Sequence, residues 1–373
     1  MTLKERLTLI KEVGEEIVTE EELTKLLESG EQLVAYDGFE PSGQMHIGQG
    51  ILRAINVNKM INAGIKFKML VSDWTAFCND KFGGDLEKIQ VVGKYFIEVW
   101  KAAGMDPRVE YVWASDVVKR PNYWKLVVQI GRTNKLPRFI RTAEFMGREE
   151  SGASLSAAQI IYPCIQIADI FTLGVNITQL GMDQRKVNML AREIGPQLGF
   201  WKPVVVSHHM LMSLNPLTSV NDEANFLYKN KDLDKNSLKQ QLTIKRKMSK
   251  SLPDSAIFMT DSHEDVKRKI DKAFCPEGEV AENPVLEYYK YILFEKFPQI
   301  VIERPEKYGG SVILNSYDNL EKLFANKEIH PLDIKQTAVK LLNELLQPVR
   351  EHFKNDGHAH ELLKKVQSYQ VTR

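Results

Sequence analysis

Between residues 31 and about 206, short apolar runs alternate with longer amphipathic stretches, and that alternation narrows the possible folds more than any other feature. Leu33-Val34-Ala35-Tyr36 is followed by a Gly/Pro/Ser turn, Gly38 to Gly43, and a helical pattern from about His46 to Ala63. Phe67 to Val71 precedes a second helical stretch, Leu86 to Ala103; Val109 to Val112 leads into a further helix, and Val204 to Ser207 follows Pro203. Short apolar strands separated by helices predict an α/β domain built on a doubly wound parallel sheet. The more polar stretch 115–156 reads as a helical insertion between the two halves of that sheet.

From 261 to 373 the pattern becomes almost purely helical: Val266 to Phe274, Pro284 to Phe294, Leu320 to Phe324 and a long final helix from about Leu332. One strand-like stretch, Ser311 to Leu314, interrupts it. The predicted organisation is an N-terminal amphipathic helix (1–30), an α/β domain (31–260) and a mostly α C-terminal domain (261–373), with the boundary in the polar region Asn221 to Asp261.

Charge excludes a general nucleic-acid coat, because 50 basic residues face 49 acidic ones and the net charge is only +1. Any RNA surface must come from local patches. Arg132, Lys135, Arg138 and Arg141 form one, Lys245-Arg246-Lys247 and Lys267-Arg268-Lys269 two more, and each is also what a solvated face looks like. No apolar run approaches the roughly 20 residues needed to span a bilayer, so no membrane is expected. The acidic N-terminus has no signal core. Cys78, Cys164 and Cys275 lie far apart without CxxC spacing, which indicates neither a disulfide framework nor a metal site and fits a reducing cytoplasm.

Three segments carry chemistry. In Tyr36-Asp37-Gly38-Phe39-Glu40-Pro41-Ser42-Gly43-Gln44-Met45-His46-Ile47-Gly48-Gln49 a strand runs through a turn into a helix start. Such a start offers free N–H groups to phosphate; Gly48 permits close backbone approach and His46 can donate to phosphate oxygens. A plain strand–helix connection capped by His46 accounts equally well for the segment alone. Lys247-Met248-Ser249-Lys250-Ser251 places two lysines three apart beside hydroxyls, a clamp for polyphosphate or, taken alone, a solvated basic loop. In Gln159 to Phe171, Tyr162, Gln166 and Asp169 stand at i, i+4 and i+7, stacking polar groups on one helix face among isoleucines; Pro163 suits the first turn of that helix. A buried carboxylate costs several kcal/mol unless partnered, so either an internal donor or a ligand must satisfy Asp169.

Together, an HIGQ turn and a KMSKS loop about 200 residues later resemble the signature pair of class I aminoacyl-tRNA synthetases. KMSKS matches at every position; HIGQ has Gln49 where the family's fourth residue is His, and an amide also donates hydrogen bonds. The YPxxQxxD pattern resembles the tyrosine-binding helix of archaeal and eukaryotic tyrosyl-tRNA synthetases, over a likeness running from about Leu26 to Phe353.

The resemblance implies a Rossmann-like catalytic domain followed by an anticodon-binding domain. It implies tyrosine contacts at Tyr36, Tyr162, Gln166, Asp169 and Gln184, with Tyr36 and Asp169 at the phenol and the others near the amino group. It implies ATP contacts at Gly38, His46, Gly48, Gln49, Asp183 (towards the ribose), Lys247, Met248, Ser249 and Lys250. Of these, His46, Gln49, Lys247 and Lys250 are the implied catalytic residues. For tRNA it implies Arg141 and Arg185 at the acceptor end, and Tyr308, His330 and Asp333 at the anticodon, with Asp333 reading its first base and Tyr308 stacking on a base.

The activity so implied is ATP-dependent, AMP-forming loading of L-tyrosine onto tRNA(Tyr), with Mg2+ on the ATP phosphates. A homodimer through the insertion is also implied, for which Trp124, Leu126, Val127, Ile130 and Phe139 offer an apolar patch; a helix buried within one subunit would show the same residues. The alternatives are a tryptophan-specific relative, which needs no phenol pair, a catalytically inactive tRNA-binding paralogue, and a nucleotidylyltransferase of another kind, which would not explain the C-terminal segments Arg304 to Gly310 and His330 to Asp333.

Overall fold

The computed structural model describes residues 1–144, 155–215 and 253–369. Its strands are β1 (Gly14–Val18), β2 (Val34–Phe39), β3 (Lys66–Val71), β4 (Glu110–Trp113), β5 (Ile177–Thr178), β6 (Val204–His208), β7 (Ile300–Ile302) and β8 (Val312–Leu314). The helices up to β6 are α1 (Leu3–Val13), α2 (Glu20–Glu28), α3 (Ile51–Asn62), α4 (Asp73–Cys78), α5 (Leu86–Ala102), α6 (Ala114–Val117), α7 (Tyr123–Thr133), α8 (Leu136–Glu144), α9 (Ala157–Thr172) and α10 (Arg185–Gln197). Those after it are α11 (His263–Lys272), α12 (Pro284–Tyr288), α13 (Phe294–Lys296), α14 (Tyr317–Ala325), α15 (Pro331–Asn355) and α16 (Gly357–Ser368).

Six strands form one sheet in the order β1-β6-β5-β2-β3-β4. The neighbours from β6 to β4 pair in parallel, and β1 closes the β6 edge antiparallel. The predicted parallel sheet is therefore present, wound on both faces. Side chains alternate along each strand. Ala35, Met69, Val71 and Val206 accordingly enter a core shared with α3, α5 and the C-terminal helices. Tyr36, Leu70 and Val112 enter a second core with α7, α9 and α10.

The N-terminal amphipathic stretch forms two helices with a strand between them. Gly14 weakens helix continuation, and a Cβ there would stand 2.8 Å from Ile17 Cγ1. Thr19 then starts α2 with a capping box to Glu22. The helix expected from His46 starts later, at Ile51. His46 instead bridges Phe258, and Ile47 N–H donates to the Ile257 carbonyl at 2.9 Å. Pro163 lies inside α9 rather than in its first turn, because Ser156 and Gln159 cap the helix upstream.

In the C-terminal part, the strand-like stretch near Ser311 pairs as β8 with β7, whose three residues had too short a pattern to stand out. The long final helix stops at Asp356, which caps a new helix by accepting from Ala359 N–H at 2.8 Å. Of the apolar residues put forward for a subunit contact, Leu126, Val127, Ile130 and Phe139 are buried within the chain's own core; Trp124 is exposed. Amphipathicity signals burial but not which surface covers it.

His209, just after β6, ties three regions together. Its Nδ1 and Nε2 lie 3.1 Å from Glu15 and 3.1 Å from Glu287, and its ring stacks on Tyr291 at 4.1 Å. Burial opposes the charge, but the two carboxylates outweigh it and raise the pKa to about 9. A raised imidazole pKa stabilises fully below the unfolded value near 6.5 and loses its contribution as pH climbs through the folded value. Between about pH 6.5 and 9 the urea midpoint of the wild type should fall more steeply than that of His209→Gln. Parallel curves would show that the ion pairs contribute nothing.

Candidate active site

Tyr36, on β2, and α9 face each other across the second core. The α9 face carries Tyr162, Gln166 and Asp169 inward as expected, all three buried. The Asp169 carboxylate is 1% exposed, and its Oδ1 accepts from the Tyr123 hydroxyl at 2.7 Å. Burial lifts its pKa to about 7, against the lowering pull of Tyr123 and of the Arg120 charge. A carboxylate can accept several donors, so one bond leaves room for another. The Tyr36 hydroxyl is buried beside the Gln166 amide, with no hydrogen bond of good geometry among the described residues. Burial, then the neighbouring Asp169 charge, push its pKa upward, so it stays a neutral donor. Leaving such a group unmade costs about 1–3 kcal/mol.

Gln166 Nε2 donates to Gln184 Oε1 at 3.2 Å, while Gln166 Oε1 is buried without a partner among the described residues. Gln184 ends the short turn Met182–Gln184 that opens α10, with Asp183 beside it. Along α9, the hydroxyls of Tyr36 and Tyr123 thus gather around Asp169, and the amides of Gln166 and Gln184 meet each other. Tyr123 was not evident from the sequence. It lies in the insertion, far from α9 along the chain, and its only signal was the demand of Asp169 for a donor.

Two residues further along β2 and on the same face as Tyr36, Gly38 leaves space that Ser72 Oγ would contest, 3.2 Å from a Cβ. The His46 ring lies over Gly48, where a Cβ would come within 3.2 Å of it. Gln49 is fixed through its backbone oxygen, which accepts from Trp100 Nε1 at 2.8 Å; its buried Oε1 has no partner among the described residues. Lys247, Met248, Ser249 and Lys250 lie outside the described residues. The segment that follows them is described: Met259 N–H donates to the Met45 carbonyl at 2.8 Å, beside the Ile47–Ile257 bond. The chain leaving the KMSKS loop is therefore fastened to the HIGQ segment.

The residues implied for RNA are spread over the molecule. Arg141 is exposed on α8, and Arg185 Nε donates to Glu16 on β1 at 2.6 Å. Tyr308 is 63% exposed in the turn Glu306–Tyr308, with the Lys307 ammonium 4.8 Å from its ring centre. His330 caps α15 by accepting from Leu332 N–H at 3.1 Å, and Asp333 sits in the first turn. Arg304 joins these two places, donating to the Gly310 carbonyl at 3.0 Å and to the Glu328 carbonyl at 2.6 Å.

Comparison with known proteins shows the family to which the chain belongs. Residues 28–347 match the family model described as tRNA synthetases class I (W and Y). The chain is 47% identical over 375 residues to the cytoplasmic tyrosine–tRNA ligase 1 of Arabidopsis thaliana, covering 100% of this chain and 90% of the relative. The tyrosyl-tRNA synthetase of Pyrococcus horikoshii, solved with L-tyrosine, superposes with a TM-score of 0.87 at 36% identity, over 98% of this chain and 100% of that one. That of Leishmania major, solved with tyrosinol, superposes with a TM-score of 0.86 at 41% identity over 100% of this chain, which spans 61% of the Leishmania protein.

Proposed function

From the chain's membership of the class I tRNA synthetases of the tryptophan and tyrosine group, we infer a tyrosine–tRNA ligase that forms tyrosyl-adenylate from L-tyrosine and ATP and passes the tyrosyl group to tRNA(Tyr). The observation that carries the amino-acid choice is the pairing of Tyr36 with Asp169. A buried Tyr36 hydroxyl without a hydrogen bond of good geometry lies near a buried carboxylate that already holds one hydroxyl donor. A phenol hydroxyl donates to Asp169 and accepts from Tyr36, which satisfies both; an indole N–H offers no acceptor to Tyr36.

In the first step a tyrosine carboxylate oxygen attacks the α-phosphorus of ATP and pyrophosphate leaves. In the second, a ribose hydroxyl of the terminal tRNA adenosine attacks the acyl carbon and AMP leaves. Positioning and charge stabilisation suffice for both, without a protein nucleophile. Tyr162, Gln166 and Gln184 hold the amino group, and Asp183 takes the ribose. His46 and Gln49, with Lys247 and Lys250, face the phosphates, and Mg2+ arrives on those phosphates as part of the nucleotide substrate. Gly38 and Gly48 allow the nucleotide close to the backbone; Met248 and Ser249 complete the loop around it.

Arg141 and Arg185 meet the acceptor stem, and Tyr308, His330 and Asp333 the anticodon. The split into a catalytic part (31–260) and an anticodon-binding part (261–373) belongs to the same proposal. A homodimer is supported by the exposed apolar side chains Phe77, Trp124, Val128, Leu136 and Ile161 on and around the insertion. No described helix is long and apolar enough to cross a membrane. A cytoplasmic setting is supported by the name of the Arabidopsis relative and by three free cysteines.

ATP–pyrophosphate exchange with tyrosine and with tryptophan separately, followed by aminoacylation of a transcript bearing a tyrosine anticodon, tests the assignment. Exchange with tyrosine alone and charging of that transcript are expected. Exchange driven by tryptophan, or none with saturating tyrosine and ATP, would overturn it.

A further inference from the structure

Residues 256–261 run beside the HIGQ turn like a splint. Ile47 N–H donates to the Ile257 carbonyl at 2.9 Å and Met259 N–H to the Met45 carbonyl at 2.8 Å, with Phe258 bridging His46 between them. Thr260 Oγ1 donates to Gln44 Oε1 at 3.3 Å. The Met259 side chain fills the space that Gly50 leaves just before α3, where a Cβ would stand 2.3 Å from its sulfur. Four consecutive residues of the splint thus engage the stretch that carries His46 and Gln49.

One buried cation sets the shape of that splint. Lys269, on α11, is 4% exposed. Its ammonium donates to the Ala256 carbonyl at 2.9 Å and to Asp261 Oδ2 at 2.6 Å, and it lies 4.6 Å from the centre of the Phe258 ring. The same Asp261 oxygen accepts from Phe258 N–H at 2.9 Å, and Asp261 N–H donates to the Phe258 carbonyl at 3.1 Å. From α15, Arg350 Nε donates to the Asp261 carbonyl at 2.7 Å. Lys269 therefore grips the splint at both ends and at Phe258, the residue that bridges His46.

Packing alone does not ask for this arrangement. A buried ion pair adds little net stability, and apolar residues of similar volume commonly serve a fold as well. What an ammonium with three donors adds is placement. Placement matters most for groups that meet a transition state, where a shift of about 1 Å can cost about 10²-fold in rate.

We propose that Lys269 is a positioning residue for adenylate formation: through Ala256, Phe258 and Asp261 it sets the line of residues 256–261, and through them the place where His46 meets the ATP phosphates. Lys269 itself touches no substrate. This role rests on the reading of His46 as a phosphate contact, and the test separates the two.

Single-turnover adenylate formation at saturating ATP, the tyrosine Kd and the urea midpoint are measured for the wild type, His46→Ala, the pair Lys269→Met with Asp261→Asn, and all three substitutions together. The paired variant leaves no buried charge without its partner, and the asparagine oxygen can still accept from Phe258 N–H. It is expected to fold and to slow adenylate formation about tenfold, part of what a full misplacement costs. Its tyrosine Kd should stay unchanged, because the proposed tyrosine contacts lie on β2 and α9. In the His46→Ala background the pair should cost little more, since an effect that runs through His46 is not additive with its loss. A wild-type rate in the paired variant, or a slowing that persists in full without His46, overturns the positioning role and leaves the phosphate contact standing. A wild-type rate in His46→Ala overturns the phosphate contact and the positioning role with it. Tyrosine affinity lost in step with the rate reduces Lys269 to a support of the fold and overturns its role in the reaction. Should the paired variant not fold, Asp261→Asn alone carries the comparison, and the absence of a slowing that depends on His46 overturns the positioning role.

Discussion

Asp169→Ala should lower kcat/KM for tyrosine by about 10²–10³-fold while changing that for phenylalanine far less. The variant removes the proposed acceptor for the substrate phenol and, at the same time, the acceptor of Tyr123 at 2.7 Å. A hydrogen bond to a charged group contributes about 1.5–3 kcal/mol, and the orphaned Tyr123 hydroxyl adds a cost of about 1–3 kcal/mol in the pocket. Phenylalanine never made the first bond, so the selectivity ratio collapses. Asp169→Asn keeps one acceptor oxygen and should stand between the two. Because the carboxyl titrates near about 7, its ionised, accepting form grows as the pH rises. Tyrosine binding to the wild type should therefore tighten through pH 7, and Asp169→Asn should not show that dependence. Kinetics with tyrosine and phenylalanine, and tyrosine titrations from pH 6 to 8, check both statements (the pH interval brackets the ordinary range around that pKa). An unaltered tyrosine-to-phenylalanine ratio in Asp169→Ala would remove Asp169 from the phenol.

Lys250→Ala and Lys247→Ala should each slow adenylate formation by about 10²–10³-fold, the usual cost of losing one group that stabilises transition-state charge. The tyrosine Kd should hardly change, because the proposed tyrosine contacts lie on α9 and β2. In the proposed mechanism these lysines act on a phosphate that becomes more charged as the bond to pyrophosphate breaks, so the loss belongs to kcat. The bonds from Ile47 N–H to the Ile257 carbonyl and from Met259 N–H to the Met45 carbonyl hold the segment that follows these lysines beside His46. Single-turnover measurement of adenylate formation decides the matter; wild-type rates in both variants would exclude the loop from the chemistry.

The parallel sheet was legible because each of its longer strands is a compact apolar run and the helices between them keep their own period. The polar face of α9 was legible for the same reason, since three residues at helical spacing share one side whatever surrounds them. The start of α3 was displaced because the turn at His46 is held by the Ile257–Met259 segment, more than 200 residues later in the chain. The strand β1 was hidden inside an amphipathic stretch, and pairing with β6 decided its form. The bond of Tyr123 to Asp169 and the buried contacts of Arg53 with Asp37 and His208 could not be read from local pattern at all. Each exists only through contacts between elements remote in sequence, and nothing in the spacing of Arg53 or His208 announces a partner.

The short strand β1 has a consequence for how the catalytic sheet is protected. An open edge beside β6 would offer a row of bare N–H and C=O groups to any passing chain. Residues 14–18 occupy that edge, and the flanking helices bolt it down through Glu22, which Arg192 and Lys202 reach at 2.5 and 2.8 Å. Glu16 on the strand itself engages Arg185, next to the turn that presents Asp183 and Gln184. The first 28 residues therefore act as a selvage for the sheet. Fraying there would invite self-association and slacken the rim of the active site in a single event.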